Sequence, residues 1–275
     1  MSLPETPSRG RVLIIAGSDS GGGAGVQADI KTITMLGGYA ASAITAVTVQ
    51  NTLGVSGVYA IPPDVVSAQA RAVLDDIGAD AVKTGMLGDV AMVETVAALL
   101  AAFPRIPAVV DPVMVAKGGA SLLAQAAVDA VRRLLVPRAT LLTPNAPEAQ
   151  ALTGLAAATT DDLRRAGEAL LRGGARAVLM KGGHVAGDRV TDILMTAEGE
   201  TVFQAPRIDT VHTHGTGCTL ASACAVGLAQ GLRLPEAVGR AFDYVHKAML
   251  HAPGLGGGHG PLGHGWPLMD LPARR

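Results

Sequence analysis

With 275 residues, 49% of them hydrophobic and 3% aromatic, the chain can build one large α/β domain or two small ones around a core of Ala, Val, Leu and Ile. Its 22 basic and 23 acidic residues give a net charge of −1 with no basic block, so the electrostatic footprint of a nucleic-acid binder is missing. No apolar run reaches membrane-spanning length, and the polar start MSLPETPSRGR has no secretory character. Cys218 and Cys224 lie six apart on one expected helix, which suits neither a disulfide nor a metal set. The expected compartment is a reducing cytoplasm.

In chain order, residues 1–10 read as a loose tail. Residues 12–16 (VLIIA) form a continuous apolar run, as in a strand buried on both faces of a parallel sheet. A glycine loop, GSDSGGGAG, follows over 17–25, and helical spacing of Val26, Ile30 and Ile33 marks a helix over 26–36. Residues 39–49 read as a second strand, and 54–61 as a short strand or hairpin covering a sheet edge. Further strands are expected at 81–83, 108–111, 140–142 and 177–180, with helices at 64–76, 89–102, 125–135, 148–153 and 161–172. A loop over 116–120 precedes the third of these helices. Residues 189–196 and 200–205 alternate like antiparallel edge strands around the turn 197–199. The run HGTGCT over 214–219 then opens into a helix over 220–231, and a last helix covers 235–251 before a Gly- and His-bearing loop at 255–265.

Strands alternating with helices imply βαβ units and a mainly parallel sheet, in which ligands bind beyond the carboxyl ends of the strands. Asp19, Gln50, Met86, Asp111, Asn145 and Lys181 all fall at expected strand exits. No linker divides the chain, so one domain is expected over 11–266, with a second short tail at 267–275.

HGTGCT combines two glycines with a helix start, a ready anion site whose backbone N–H groups point at the ligand. Cys218 falls in the first turn, where a thiol's pKa is lowered. The same residues also suit a tight turn before a packing helix that buries an ordinary cysteine. In GSDSGGGAG the glycines bunch at 21–23, the wrong spacing for a dinucleotide loop, and no acidic residue ends the next strand. That loop reads as a flexible connection or as a closure over a small substrate. Gln50 offers a paired donor and acceptor for a heteroaromatic edge, and Asp29 could meet it across the site. Asp111 and Glu148 are candidate Mg²⁺ partners, and Asn145 and Glu148 stand one helical turn apart. Lys181 can neutralise phosphate charge or snorkel at the surface. The histidines show no metal spacing and read as solvated or hydrogen-bonding residues.

Seven motifs in order, AGSDSGGGAGVQADIKT, ITAVTVQNT, KTGML, VVDPVM, LTPNAPEA, VLMKGGH and THGTGCTLASA, resemble those of the hydroxymethylpyrimidine/phosphomethylpyrimidine kinases of thiamin biosynthesis, in the ribokinase-like superfamily. The resemblance runs from about Val12 to about His264. It implies a ribokinase-like three-layer α/β/α sandwich, with a mainly parallel central sheet, helices on both faces and a few antiparallel edge strands. It implies ATP- and Mg²⁺-dependent phosphorylation of 4-amino-5-hydroxymethyl-2-methylpyrimidine, then of its monophosphate, by a homodimer. By the motif match Gly17, Asp29, Gln50, Met86 and Val113 line the pyrimidine pocket. Asp111 and Glu148 serve the metal, Asn145 and Lys181 the ATP phosphates, and Gly215, Thr216 and Gly217 the anion hole, with Cys218 as base. Sugar kinases of this fold usually carry Asp where Cys218 stands, and the glycines at 256–258 lack a lysine found in many relatives. The rival expectations are a pyridoxal kinase, a non-catalytic nucleotide or metabolite sensor on the same fold, and an NAD-dependent dehydrogenase, which the glycine spacing disfavours.

Overall fold

A computed structural model describes residues 10–114 and 124–269, so most of the expected N-terminal tail and the loop at 116–120 lie outside the described residues. The first described strand lies inside the sheet. Strand β1 (Arg11–Asp19) pairs in parallel with β2 (Tyr39–Asn51) on one side and β4 (Ala81–Thr84) on the other. Strands β5 (Ala108–Val110), β6 (Leu141–Leu142) and β7 (Ala177–Met180) extend the parallel array. Both edges turn antiparallel: β3 (Gly54–Ala60) pairs with β2, while β8 (Arg189–Thr196) and β9 (Gly199–Pro206) follow β7. Among the described residues the nine-stranded order is β3-β2-β1-β4-β5-β6-β7-β8-β9.

Side chains alternate across each strand, and β1 feeds two cores. Leu13 and Ile15 join the core under α2 (Pro63–Asp76), α3 (Val90–Ala102), α4 (Gln125–Ala130), α5 (Ala146–Thr153) and α6 (Thr160–Arg172). Val12, Ile14 and Ala16 join the opposite core under α1 (Gly25–Met35), α7 (Thr216–Ala229) and α8 (Leu234–Leu250). Helices therefore cover both faces, giving the expected three layers with antiparallel edges.

The differences from expectation cluster where the backbone enters the site. β1 does not stop at Ala16: Gly17, Ser18 and Asp19 remain in the strand, past an irregularity in its register against β2. β2 likewise carries Gln50 inside the ladder, paired with Val55. α7 begins at Thr216 rather than at 220, so Cys218 lies inside its first turn. Trp266, expected to end the domain, starts a short helical turn (Trp266–Leu268) and packs against Tyr244.

Candidate active site

The parallel strands end on one side of the sheet, and a cavity of about 1090 Å³ opens there. It sits over β1 and β4, where the chain's connections diverge to opposite sides, the position at which open α/β sheets bind ligands. Gly17, Gln50, Met86 and Val113 all line it. A Cβ on Gly17 would stand 2.5 Å from Met86 Cε, so the glycine makes room for that methionine. Thr45 fixes the Met86 backbone by donating to its carbonyl at 2.7 Å.

Asp111, Asn145, Glu148 and Lys181 converge at the exits of β5, β6 and β7. Lys181 Nζ lies 3.0 Å from Asp111 Oδ1 and 3.7 Å from Glu148 Oε2. The Thr143 hydroxyl also donates to Asp111 Oδ1 at 3.1 Å. Asn145 and Glu148 form a capping box on α5: Asn145 Oδ1 accepts from Glu148 N at 2.9 Å, and Glu148 Oε2 accepts from Asn145 N at 2.8 Å. Glu148 is thus both a helix cap and a neighbour of Lys181. Burial, opposed by Lys181 and reinforced by Asp111, pushes its carboxyl up to about 7. Burial works against the Lys181 ammonium, but Asp111 and Glu148 outweigh it and raise its pKa. Two buried carboxylates meeting one cation suit a Mg²⁺ ion held jointly with phosphates and water. Among the described residues no cluster of three His, Cys, Asp or Glu could hold a metal unaided.

The start of α7 closes over this charge cluster. A Cβ on Gly217 would lie 3.2 Å from Lys181 Nζ and 3.7 Å from Asp111 Oδ2, so the expected anion hole and the charged group are contiguous. Gly215 caps α7 in the left-handed region at φ 84°, and its Cα side abuts the Gly23 carbonyl, which an added Cβ would reach at 1.8 Å. The two glycine motifs therefore dock on each other. Cys218 lines the cavity, but its thiol is not acidified. Burial pushes it up to about 11, against the pull of Lys83, with Asp29 and Asp111 adding to the rise. The helix N-terminus does not offset that desolvation, so the expectation of a lowered pKa is corrected.

Asp29 also departs from expectation. Its side chain is fully buried, outside the lining of the cavity, and both carboxylate oxygens accept from Lys83 Nζ, at 2.9 and 2.8 Å. Ser222 donates to it at 2.7 Å. Asp29 is therefore tied to strand β4 and helix α7 rather than to Gln50. An apolar-looking strand, AVKT, hid its partner Lys83.

Gln50 instead meets His214 and Asp19. Its amide lies 3.1 Å from His214 Nε2, which lies 2.9 Å from Asp19 Oδ2. The backbone N–H groups of Gly21, Gly23 and Ala24 also donate to the Asp19 carboxylate, at 2.8, 3.0 and 2.8 Å. Burial works to raise the Asp19 pKa, but these bonds and His214 outweigh it and hold it below the usual range. The bunched glycines of GSDSGGGAG serve this contact: a Cβ on Gly23 would stand 2.6 Å from the His214 ring. His214 is 8% exposed, so of the two expectations for the loop histidines, solvated or hydrogen-bonding, it is the hydrogen-bonding one. Its neighbourhood to Asp19 joins residues 195 apart, which no local spacing signals.

The chain matches the family model described as phosphomethylpyrimidine kinase over residues 19–263. It is 54% identical over 265 residues to the hydroxymethylpyrimidine/phosphomethylpyrimidine kinase of Streptomyces coelicolor, covering 96% of this chain and 97% of that protein. An ADP complex of Bacillus subtilis pyridoxal kinase superposes with a TM-score of 0.89 at 35% identity, covering 95% of this chain and 99% of that one. A phosphomethylpyrimidine kinase structure from Clostridium difficile gives 0.77 at 40% identity, covering 86% and 98%.

Proposed function

Because the chain belongs to the phosphomethylpyrimidine kinase family, we propose that it transfers the terminal phosphoryl group of ATP to the hydroxymethyl group of 4-amino-5-hydroxymethyl-2-methylpyrimidine, and then phosphorylates the monophosphate, in thiamin biosynthesis. The fold is ribokinase-like. The observation that carries the reading is that Gly217, at the start of α7, abuts Lys181 and Asp111 in a cavity that Gln50, Gly17 and Met86 also line. Phosphoryl transfer needs chiefly positioning and charge stabilisation, and the two groups of residues supply one each.

In this reading the N–H groups of Gly215, Thr216 and Gly217 at the start of α7 donate to the transferred phosphoryl group and stabilise the charge that develops on it. Lys181 neutralises phosphate oxygens, and Asn145 contacts them beside it. Asp111 and Glu148 hold magnesium, which offsets phosphate charge when bound. Gln50, with Gly17, Met86 and Val113, orients the pyrimidine. Cys218 faces the acceptor hydroxyl. With its pKa at about 11 the thiol is almost wholly protonated near neutrality, so it positions the hydroxyl by hydrogen bonding rather than by standing ready as a thiolate.

A cytoplasmic homodimer completes the reading. No helix among the described residues is long and apolar enough to cross a membrane. On the edge hairpin, Val47 and Tyr59 face each other at 46% and 66% exposure, and Val49 shares their side at 50%, an apolar patch suited to a second copy. The decisive experiment is incubation with the pyrimidine alcohol and Mg-ATP, with mono- and diphosphate products identified by mass. Binding without ADP release would leave a sensor, and preferential turnover of pyridoxal would overturn the substrate assignment.

A further inference from the structure

The environment of Gln50 fixes more than its place. A glutamine amide has one planar outline with an acceptor at one end and a donor at the other, so its partners decide which end points where. As placed, the Nε2 end lies 3.1 Å from His214 Nε2 and the Oε1 end 3.3 Å from Thr48 Oγ1. Asp19 Oδ2 already accepts from two backbone N–H groups, and its carboxylate is held ionised, so it only accepts. The His214 nitrogen 2.9 Å from it therefore carries a hydrogen. A nitrogen that carries a hydrogen has no lone pair for an amide NH₂, whereas an amide oxygen can share that hydrogen with Asp19 in a three-centre bond. At the other end the Thr48 hydroxyl spends its single hydrogen on the Ser18 carbonyl at 2.8 Å. Its oxygen can then only accept, so it rejects an amide oxygen and welcomes an amide NH₂. With nitrogen towards His214 and oxygen towards Thr48, both contacts set like against like; the opposite orientation removes both conflicts.

We propose that His214, locked by Asp19, is a specificity-determining positioning residue that holds the Gln50 amide with its oxygen towards His214 and its nitrogen towards Thr48. The amide then offers the cavity one lone pair on the His214 side and one N–H on the Thr48 side, in fixed order. Resting on the pyrimidine reading above, this order matches a ring nitrogen beside an exocyclic amine, with the amine on the His214 side. It rejects the 4-oxo analogue of the same alcohol, whose lactam carries N–H and C=O in the reverse order. Gly23 belongs to the device, since its missing side chain admits the imidazole ring.

The direct test needs no substrate. In the full-length wild-type protein, long-range ¹⁵N–¹H correlation of the assigned His214 ring should show hydrogen on Nε2. A bare Nε2 with hydrogen on Nδ1 would overturn the proposal whatever the enzyme phosphorylates. The kinetic test compares kcat/KM for the 4-amino and 4-oxo alcohols in wild type and in His214→Phe. Release of the amide should narrow that discrimination by about tenfold or more, with KM for ATP changed less than KM for the pyrimidine. His214→Gln, whose amide N–H can replace the ring donor, should restore part of the discrimination. An unaltered ratio in a folded His214→Phe protein would overturn the proposal. Absence of turnover on any pyrimidine by wild type would instead sink the substrate reading and leave the tautomer result standing.

Discussion

Lys83 Nζ lies 2.9 and 2.8 Å from the two carboxylate oxygens of Asp29, and neither side chain is exposed. The pair joins β4 to α1, and Ser222 adds α7 one helical turn beyond Cys218. Three elements that carry the site are therefore pinned at one buried ion pair. Burial works against the ammonium, and Asp29 overrides it to raise the Lys83 pKa.

Without Lys83, the buried Asp29 carboxyl must stay charged without a counter-ion or take up a proton, and either costs stability. Lys83→Met should cost about 3–5 kcal/mol of unfolding free energy. Lys83→Met combined with Asp29→Leu should recover most of it, because an apolar pair of similar volume avoids both desolvation penalties. Urea unfolding of the three proteins checks this. A double variant as unstable as the single one would mean that the pair contributes by geometry rather than charge.

The second prediction concerns Cys218. With a thiol pushed up to about 11, alkylation of Cys218 by iodoacetamide should accelerate about tenfold per pH unit between roughly pH 7 and 10, as the thiolate fraction grows. A plateau below about pH 8 would restore the acidified thiolate expected of a helix start. Cys218→Ala should lower kcat strongly with KM for ATP nearly constant, while Cys218→Ser keeps a small hydrogen-bonding group and should keep more of the rate. Equal loss in both variants would argue for proton abstraction by sulfur.

The mainly parallel sheet and its strand exits are legible because apolar runs, glycine loops and helical spacing are local, whereas the three-layer order comes from the family resemblance. Asp111, Asn145, Glu148 and Lys181 could be placed near one another, since each follows a parallel strand of the same sheet. What stayed hidden depends on distance along the chain. Lys83 looks like an interruption in a buried strand until α1 brings Asp29 to it. His214 looks like a loop histidine until Asp19, fixed by three backbone N–H groups, receives its ring. The pKa of Cys218 differs from expectation for a related reason: position in the first turn is local, whereas burial by the rest of the fold is not.

Glu148 should impose a pH dependence of known sign. Its folded-state pKa of about 7 stands above the usual 4.5, so the folded protein holds a proton that the unfolded chain releases. That contribution to stability is fully present below about pH 4.5 and is lost as pH rises through about 7. Magnesium requires the charged carboxylate, so Mg-ATP binding should strengthen over the same interval in which the free protein loses stability. Glu148→Gln should flatten both trends while keeping the capping box through its amide oxygen. Calorimetric titration and thermal unfolding at about pH 6, 7 and 8 would show it. Parallel pH trends in wild type and variant would assign the proton elsewhere.

The docking of the two glycine motifs yields the last prediction. Gly215 has φ 84°, and a Cβ there would reach the Gly23 carbonyl oxygen at 1.8 Å, a backbone atom that cannot swing aside. Gly215→Ala must therefore both strain its own backbone and push the 21–23 loop away from α7, at a cost of about 2 kcal/mol or more. The displacement moves the helix start off Lys181 and moves Gly23 off His214, so KM should rise for ATP and for the acceptor together. Gly265→Ala, with nothing within 4 Å of its Cβ position and an ordinary negative φ, should be neutral within about 0.5 kcal/mol. If Gly215→Ala unfolds like wild type and binds both substrates normally, the contact between the loops is dispensable. The anion hole would then be held by α7 packing alone.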